Sequence, residues 1–93
     1  MASLYSYEAV ERLADEYAER GGTVYTIPGS LLDNYIMVAP DCKVSICAER
    51  YLNEWSSAYT LRMYNKMPAN IEKIVALLDD GEDERAAAMF WRR

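Results

Sequence analysis

Strand-like segments follow one another between residues 23 and 65, and only short turns separate them. The clearest is 43–49, in which Val44, Ile46 and Ala48 alternate with the intervening residues. This two-residue period is typical of a strand with one face on a core and the other towards solvent. Consecutive strands joined by short turns pair most readily as an antiparallel meander. The order of these segments therefore limits the fold more than any other feature of the sequence.

The remaining strand segments are rich in β-branched or aromatic residues and cover 23–27, 31–39 and 55–65. The turn signal Pro28-Gly29-Ser30 divides the first two segments, and residues 50–54 connect the third to the fourth. Within 55–65 we expect Trp55, Leu61 and Met63 to lie on the core face.

Three segments have the apolar spacing of amphipathic helices. In residues 6–20 the apolar positions recur three and four residues apart, at Val10, Leu13, Ala14, Tyr17 and Ala18. Ser6 or Ser3 is the expected cap of this helix. A second helix is expected between residues 68 and 81, which begin with proline and end with glycine. A third is expected over 82–93, where acids at the start and arginines at the end match the helix dipole.

The resulting order is α-β-β-β-β-α-α. We predict one domain over residues 1–93, since a chain of this length forms a single core. The predicted class is α+β: two layers, with an antiparallel four-stranded meander and the helices on one face. That face is expected to include Val44, Ile46 and Leu61.

The residue types present exclude several kinds of active site. The chain has no histidine, which removes Ser-His-Asp and Cys-His nucleophile arrangements. Cys42 and Cys47 alone cannot fill a tetrahedral zinc shell, and we interpret them as ordinary thiols. The acidic run over 79–84 lacks the spacing of an EF-hand loop, and no glycine-rich phosphate loop is present. We therefore expect no catalytic residue, cofactor or metal.

The net charge of −5 and the pI of about 4.6 disfavour direct binding to a phosphate backbone. An acidic surface is compatible with a basic macromolecular partner, but net charge alone favours a merely solvated exterior. No run approaches the roughly 20 apolar residues that span a bilayer, and no secretory signal is visible. We expect a cytoplasmic protein that does not contact membranes.

The stretch YLNEWSSAYTLRMYNKMP, residues 51–68, concentrates tryptophan, tyrosine and polar side chains. Three interpretations remain open: core or edge packing of an aromatic strand, a protein interface, or a small-ligand pocket. Tyrosine, tryptophan and arginine are the residues that most often anchor interfaces. The candidate partner-binding residues, aromatic, basic and acidic, are Glu8, Glu11, Asp15, Trp55, Tyr59, Arg62, Tyr64, Asp79, Asp80, Glu82, Asp83 and Glu84.

Residues 24–41, VYTIPGSLLDNYIMVAPD, followed by residues 51–68 resemble small proteins encoded by phages and conjugative elements of gut-type bacteria. This class includes anti-CRISPR and other anti-defence proteins, which are diverse in fold. The resemblance implies a non-enzymatic inhibitor in the cytoplasm of a bacterial host. Its implied partner is a host protein or ribonucleoprotein complex with a basic surface, and a host nucleic-acid-targeting defence complex is the expected target.

Two alternatives come from other functional classes. A small domain often supplements a thin core by oligomerising, so a homodimeric accessory subunit that pairs edge strands or helix faces is one of them. The other is a small-ligand binder or an enzyme that uses Asn53, Glu54 and Arg62.

Overall fold

The four predicted strands form one antiparallel sheet in the order β1-β2-β3-β4. The structure, a computed structural model, describes residues 3–92. The strands are β1 (Thr23–Ile27), β2 (Asn34–Val38), β3 (Val44–Asn53) and β4 (Ser56–Tyr64). The helices are α1 (Tyr7–Glu19), α2 (Ala69–Asp79) and α3 (Asp83–Arg92). The α+β class and the element order are confirmed, and Arg93 of the predicted third helix lies outside the described residues.

The third strand is longer than the sequence pattern indicates. Residues 50–53, expected to be a connection, continue β3 and pair with β4. β2 pairs only with Val44–Cys47 of β3. The rest of β3 is bonded to β4 alone, so the β3–β4 hairpin extends beyond the four-stranded part of the sheet.

Helices cover both faces of the sheet, so the predicted placement of all helices on one face is wrong. One cluster of buried residues combines Ile36 and Ile46 of the sheet with Ile71 of α2 and Phe90 of α3. The second cluster lies on the opposite face and is closed by α1: it comprises Val10, Tyr17, Met37, Cys47 and Tyr59. We call these the α2–α3 face and the α1 face.

The buried segment of β3 explains this difference. Val44, Ser45, Ile46 and Cys47 are all buried, although only alternate ones are aliphatic. The expected solvent face of this strand is therefore covered, because serine and cysteine are small enough to pack under a helix. Leu61 is paired with Cys47 and lies on the α1 face, not with Val44 and Ile46 as expected.

α1 begins and ends as the sequence predicts. The Ser6 hydroxyl accepts the backbone N–H of Ala9 at 3.2 Å, which identifies Ser6 as the cap. At the other end Gly21 has φ of 84°, a left-handed conformation that glycine adopts without strain. The Tyr17 hydroxyl is 2.5 Å from the Ser45 hydroxyl, so the helix is tied to β3 by a buried hydrogen bond as well as by apolar contact.

A buried carboxylate holds the β1–β2 loop. Glu49 is 6% exposed, and its carboxylate accepts the backbone N–H groups of Ser30 at 2.8 Å and Leu31 at 2.5 Å, and that of Leu32. A Cβ on Gly29 would lie 2.0 Å from the Leu32 carbonyl oxygen, so the loop has no room for a side chain there. The loop conformation thus depends on one acid and one glycine.

Asn34 also holds the β1–β2 loop. This fully buried side chain accepts the Glu49 backbone N–H at 2.6 Å. Its amide nitrogen donates to the carbonyl oxygens of Ile27 at 3.5 Å and Pro28 at 3.4 Å. Asn34 and Glu49 therefore satisfy the polar groups where β1, β2 and β3 meet.

We predict that Glu49→Gln destabilises the fold by about 1.5–3 kcal/mol, because a charge-assisted acceptor of several amides is replaced by a neutral group carrying N–H donors. Urea unfolding measures the loss. Glu8→Gln is the matched control, since Glu8 is exposed on α1. Equal stability of the two variants would contradict the anchoring role of Glu49.

Candidate functional site

The tip of the β3–β4 hairpin presents large apolar side chains to solvent. Trp55 is 87% exposed, and Tyr51 and Leu52 beside it are exposed as well. The turn is fixed by the Asn53 side-chain oxygen, which accepts the Trp55 backbone N–H at 2.9 Å. The expectation that Trp55 lies on the core face is therefore wrong, because it occupies the turn that precedes β4.

Such a tip is unusual on energetic grounds. A tryptophan buries a large apolar area when it packs, and here most of that area remains in contact with water. Exposed apolar patches that lie together mark interaction sites more often than single exposed residues do. We define Tyr51, Leu52 and Trp55 as the hairpin tip and treat it as the principal candidate contact surface.

Sequence reasoning identified Trp55 but missed Tyr51 and Leu52, which fell in the predicted connection. The signal available was the pair Glu54-Trp55 after Asn53, since a two-residue turn between strand-like segments indicates a hairpin. Extending β3 through residues 50–53 would have placed these side chains at the hairpin end.

The structure corrects the predicted positions of two other side chains, Tyr59 and Met63. Tyr59 is fully buried, and its hydroxyl donates to the Asp33 carbonyl oxygen at 2.6 Å. Its ring centroid lies 6.1 Å from that of Tyr35, so Tyr59 is part of the core and is not available to a partner. Met63, expected in the core, is 70% exposed near the end of β4.

The acids of α1 form an exposed stripe. Glu8, Glu11, Asp15 and Glu19 recur three or four residues apart, which places them along one side of the helix away from Val10 and Tyr17. Within residues 3–92 no lysine or arginine forms an ion pair with these four; Glu16 pairs with Arg20 at 3.8 Å. The α1 stripe is thus a predominantly negative surface, with the exposed Arg12 on the same side of the helix.

The acidic run over 79–84 lies elsewhere, at the turn between α2 and α3. Asp79 is close enough to the Tyr25 hydroxyl on β1 that, after burial, it contributes to raising the pKa of Tyr25. Glu82 pairs with Arg85 at 2.8 Å. Since α2 and α3 cover the face opposite α1, this run and the α1 stripe do not form one continuous surface. Contact of either with a partner stays a prediction.

Arg62 and Tyr64 are separated from the hairpin tip and line a groove on the α2–α3 face. The groove has a volume of about 430 Å³ and is formed by Ile46, Ala48, Thr60, Arg62, Tyr64 and Asn70. Asn53 is paired with Ser56, six residues before Arg62, which corresponds to about 20 Å along the strand. Asn53, Glu54 and Arg62 therefore do not converge into the single pocket proposed for a ligand binder or enzyme.

A line of tyrosines runs from α1 into the sheet. Hydrogen bonding to the Glu11 carboxylate and its charge raise the pKa of Tyr7. Burial raises the pKa of Tyr35, which also interacts with the hydroxyls of Tyr7 and Tyr59. Burial raises the pKa of Tyr59 strongly as well. These groups remain protonated donors, and they link α1 to β2 and β4.

The two thiols differ in environment. Cys42 is exposed with φ of 71°, whereas Cys47 is fully buried and burial raises the pKa of its thiol to about 12. Neither is in a disulfide. Among the described residues, no three side chains of histidine, cysteine, aspartate or glutamate are placed to hold a metal ion together.

Comparison of the chain with protein-family models, with curated proteins and with solved structures gives no match. Within residues 3–92, no helix is both long enough and apolar enough to cross a membrane. Function must therefore be argued from the surfaces described above.

We predict that stability falls as the pH rises above about 9, because the unfolded Cys47 thiol ionises there while the native thiol stays protonated up to a pKa of about 12. The slope should reach about 1.4 kcal/mol per pH unit for this group. Urea unfolding at about pH 8 and about pH 10 measures it. Cys47→Ala should show a smaller loss between these two conditions than Cys42→Ala, and equal losses in the two variants would contradict the assignment.

Proposed function

We propose that this protein is a non-enzymatic binding protein that inserts its hairpin tip into a macromolecular partner. The exposure of Trp55 at the end of a two-stranded projection carries this proposal. The neighbouring Tyr51 and Leu52 would surround the tryptophan with apolar area that excludes water. A rigid, hydrogen-bonded turn presents the anchor in one orientation, which lowers the entropy lost on binding.

The α1 stripe supplies the electrostatic component of the proposal. Tyr5 pairs with Tyr59 in β4, so α1 begins on the side of the sheet from which the hairpin extends. Glu8 and Glu11, in its first turns, are the acids nearest that end. A basic partner surface would be attracted by them, and a net charge of −5 would accelerate its approach at low salt.

The finer form of the proposal is an inhibitor of a host nucleic-acid-targeting defence complex, of anti-CRISPR type, acting in the bacterial cytoplasm. The likeness of residues 24–41 and 51–68 to phage and mobile-element proteins supports it, as does the acidic surface. The mechanism is steric: the protein occupies a basic groove and prevents nucleic acid from entering. It does not bind nucleic acid itself, since its charge repels phosphate.

We predict that Trp55→Ala weakens partner binding by about 2–4 kcal/mol, as expected for an anchor residue, and leaves stability unchanged because the side chain has few contacts to lose. Capture from a bacterial lysate at low salt, followed by titration of the recovered partner, measures the effect. Trp91→Ala is the matched control: Trp91 is also exposed, but it stacks edge-on with Phe90 within α3.

Duplex DNA tests, in the same experiment, whether the protein occupies a nucleic-acid groove of its partner. It should compete with the protein for the captured partner, and added salt should release the complex. A Trp55→Ala variant that binds as tightly as the wild type would contradict the hairpin-tip assignment. A partner that DNA does not displace would contradict inhibition at a nucleic-acid groove.

A homodimeric accessory subunit is the alternative that a specific observation favours. Beyond Tyr59, whose backbone pairs with Tyr5, the outer edge of β4 continues through Leu61 and the 70% exposed Met63. An unpaired edge with apolar side chains is suited to pairing with a second copy. Light scattering at micromolar concentration distinguishes the two states, since a dimer has twice the 10.7 kDa chain mass.

A further inference from the structure

The groove on the α2–α3 face has a different chemistry from the rest of the acidic surface. It is lined by Ile46 and Ala48 of β3, by Thr60, Arg62 and Tyr64 of β4, and by Asn70 of α2. Its volume of about 430 Å³ falls within the range of about 300–1,000 Å³ that is typical of small-molecule sites.

No carboxylate lies on the strand positions that form this face of the hairpin. On β4 these positions are Ala58, Thr60, Arg62 and Tyr64, and on β3 they are their partners Arg50, Ala48, Ile46 and Val44. In a chain with fifteen acids and ten bases, this is a local reversal of charge. An anion in the groove would meet Arg62 and no acid at these strand positions, and Arg50 lies two residues further along β3 from Ala48.

The polar groups of the groove are not used by the fold. Among residues 3–92, Arg50 and Arg62 form no ion pair, and Tyr64 and Asn70 form no side-chain hydrogen bond. Thr60 donates only a long bond of 3.4 Å to the Ala48 carbonyl oxygen. The Tyr64 ring packs partly against the core, so it is held in place while its exposed side borders the groove.

The start of α2 adds to the positive electrostatic potential at the groove. Asn70 lies in its first turn, and the capping position is Pro68, which has no side-chain acceptor for the first backbone N–H groups. These amides and the helix dipole favour negative charge at this end of the helix. Arg62 and Asn70 both line the groove, so the beginning of α2 borders it, and the same first turn carries Glu72.

We propose that this groove binds a nucleoside monophosphate. Arg62 receives the phosphate, since a guanidinium matches its oxygen geometry and can donate two hydrogen bonds to it. Tyr64 supplies an aromatic surface for the base, and Asn70 and Thr60 donate to and accept from the sugar or the base edge. A small ligand is favoured over a nucleic-acid strand, because a polyanion would extend beyond the groove onto the acidic surface.

Titration of the isotope-labelled full chain with AMP, GMP, CMP and UMP, followed by NMR, tests this. We expect the amide resonances of Thr60, Arg62, Tyr64 and Asn70 to shift with at least one of the four. Adenosine and inorganic phosphate test the two halves of the ligand separately and should each bind at least about tenfold more weakly than the best monophosphate.

Arg62→Gln should weaken binding at least about tenfold, since one charged donor pair is lost. Arg12→Gln is the matched control: it removes the same charge from an exposed position on α1, on the opposite side of the sheet, and should bind as the wild type does. Trp55→Ala should also bind the monophosphate as the wild type does. A negative result at the groove would therefore leave the hairpin-tip proposal untouched. No shift at the groove residues, unchanged binding by Arg62→Gln, or tighter binding of an oligonucleotide at these residues would each overturn the inference.

Discussion

The Glu49 carboxylate is the interaction on which the shape of this protein depends. It lies where β2 stops pairing with β3, and it holds the β1–β2 loop by the backbone N–H groups of residues 30–32. Asn34 satisfies the Glu49 backbone N–H at the same junction. A buried charge is stable only when its hydrogen bonds are met, and here the loop meets them. Below this junction the sheet has four strands, and above it only the β3–β4 hairpin continues.

The β3–β4 hairpin carries different candidate surfaces at its two ends. Its tip carries Trp55, which a two-stranded ribbon cannot bury by itself. The groove lies at the other end of its α2–α3 face, where Ile46 and Arg62 pair within the four-stranded part of the sheet and Asn70 of α2 borders the opening. Its α1 face is closed at Tyr59 by the N-terminal segment and α1. The tip thus depends on the extension of the sheet, whereas the groove is built on the other end of the same two strands.

Negative charge is distributed so that these surfaces are separate. The α1 stripe and the acidic turn over residues 79–84 lie on opposite sides of the sheet. The groove that contains Arg62 lies on the same side as that turn, and β4 forms part of its lining. A basic macromolecule approaching the tip would meet Glu8 and Glu11, whereas a small anion would be drawn only to Arg62. The two proposed activities therefore need not compete for the same residues.

The sequence by itself determined the strands, the helices, their order and the Ser6 cap, because these follow from local periodicity and capping chemistry. It could not determine on which face of the sheet each helix packs. Ser45 and Cys47 have the polarity of a solvent face but are buried under α1, and only the path of the chain after Gly22 decides which face that helix covers. The role of Glu49 was equally invisible, since its donors are backbone groups of a loop 17 to 19 residues away. Trp55 was found as a candidate from its residue type, but whether it packs in the core or projects from a turn depends on where β3 ends, and long-range pairing sets that.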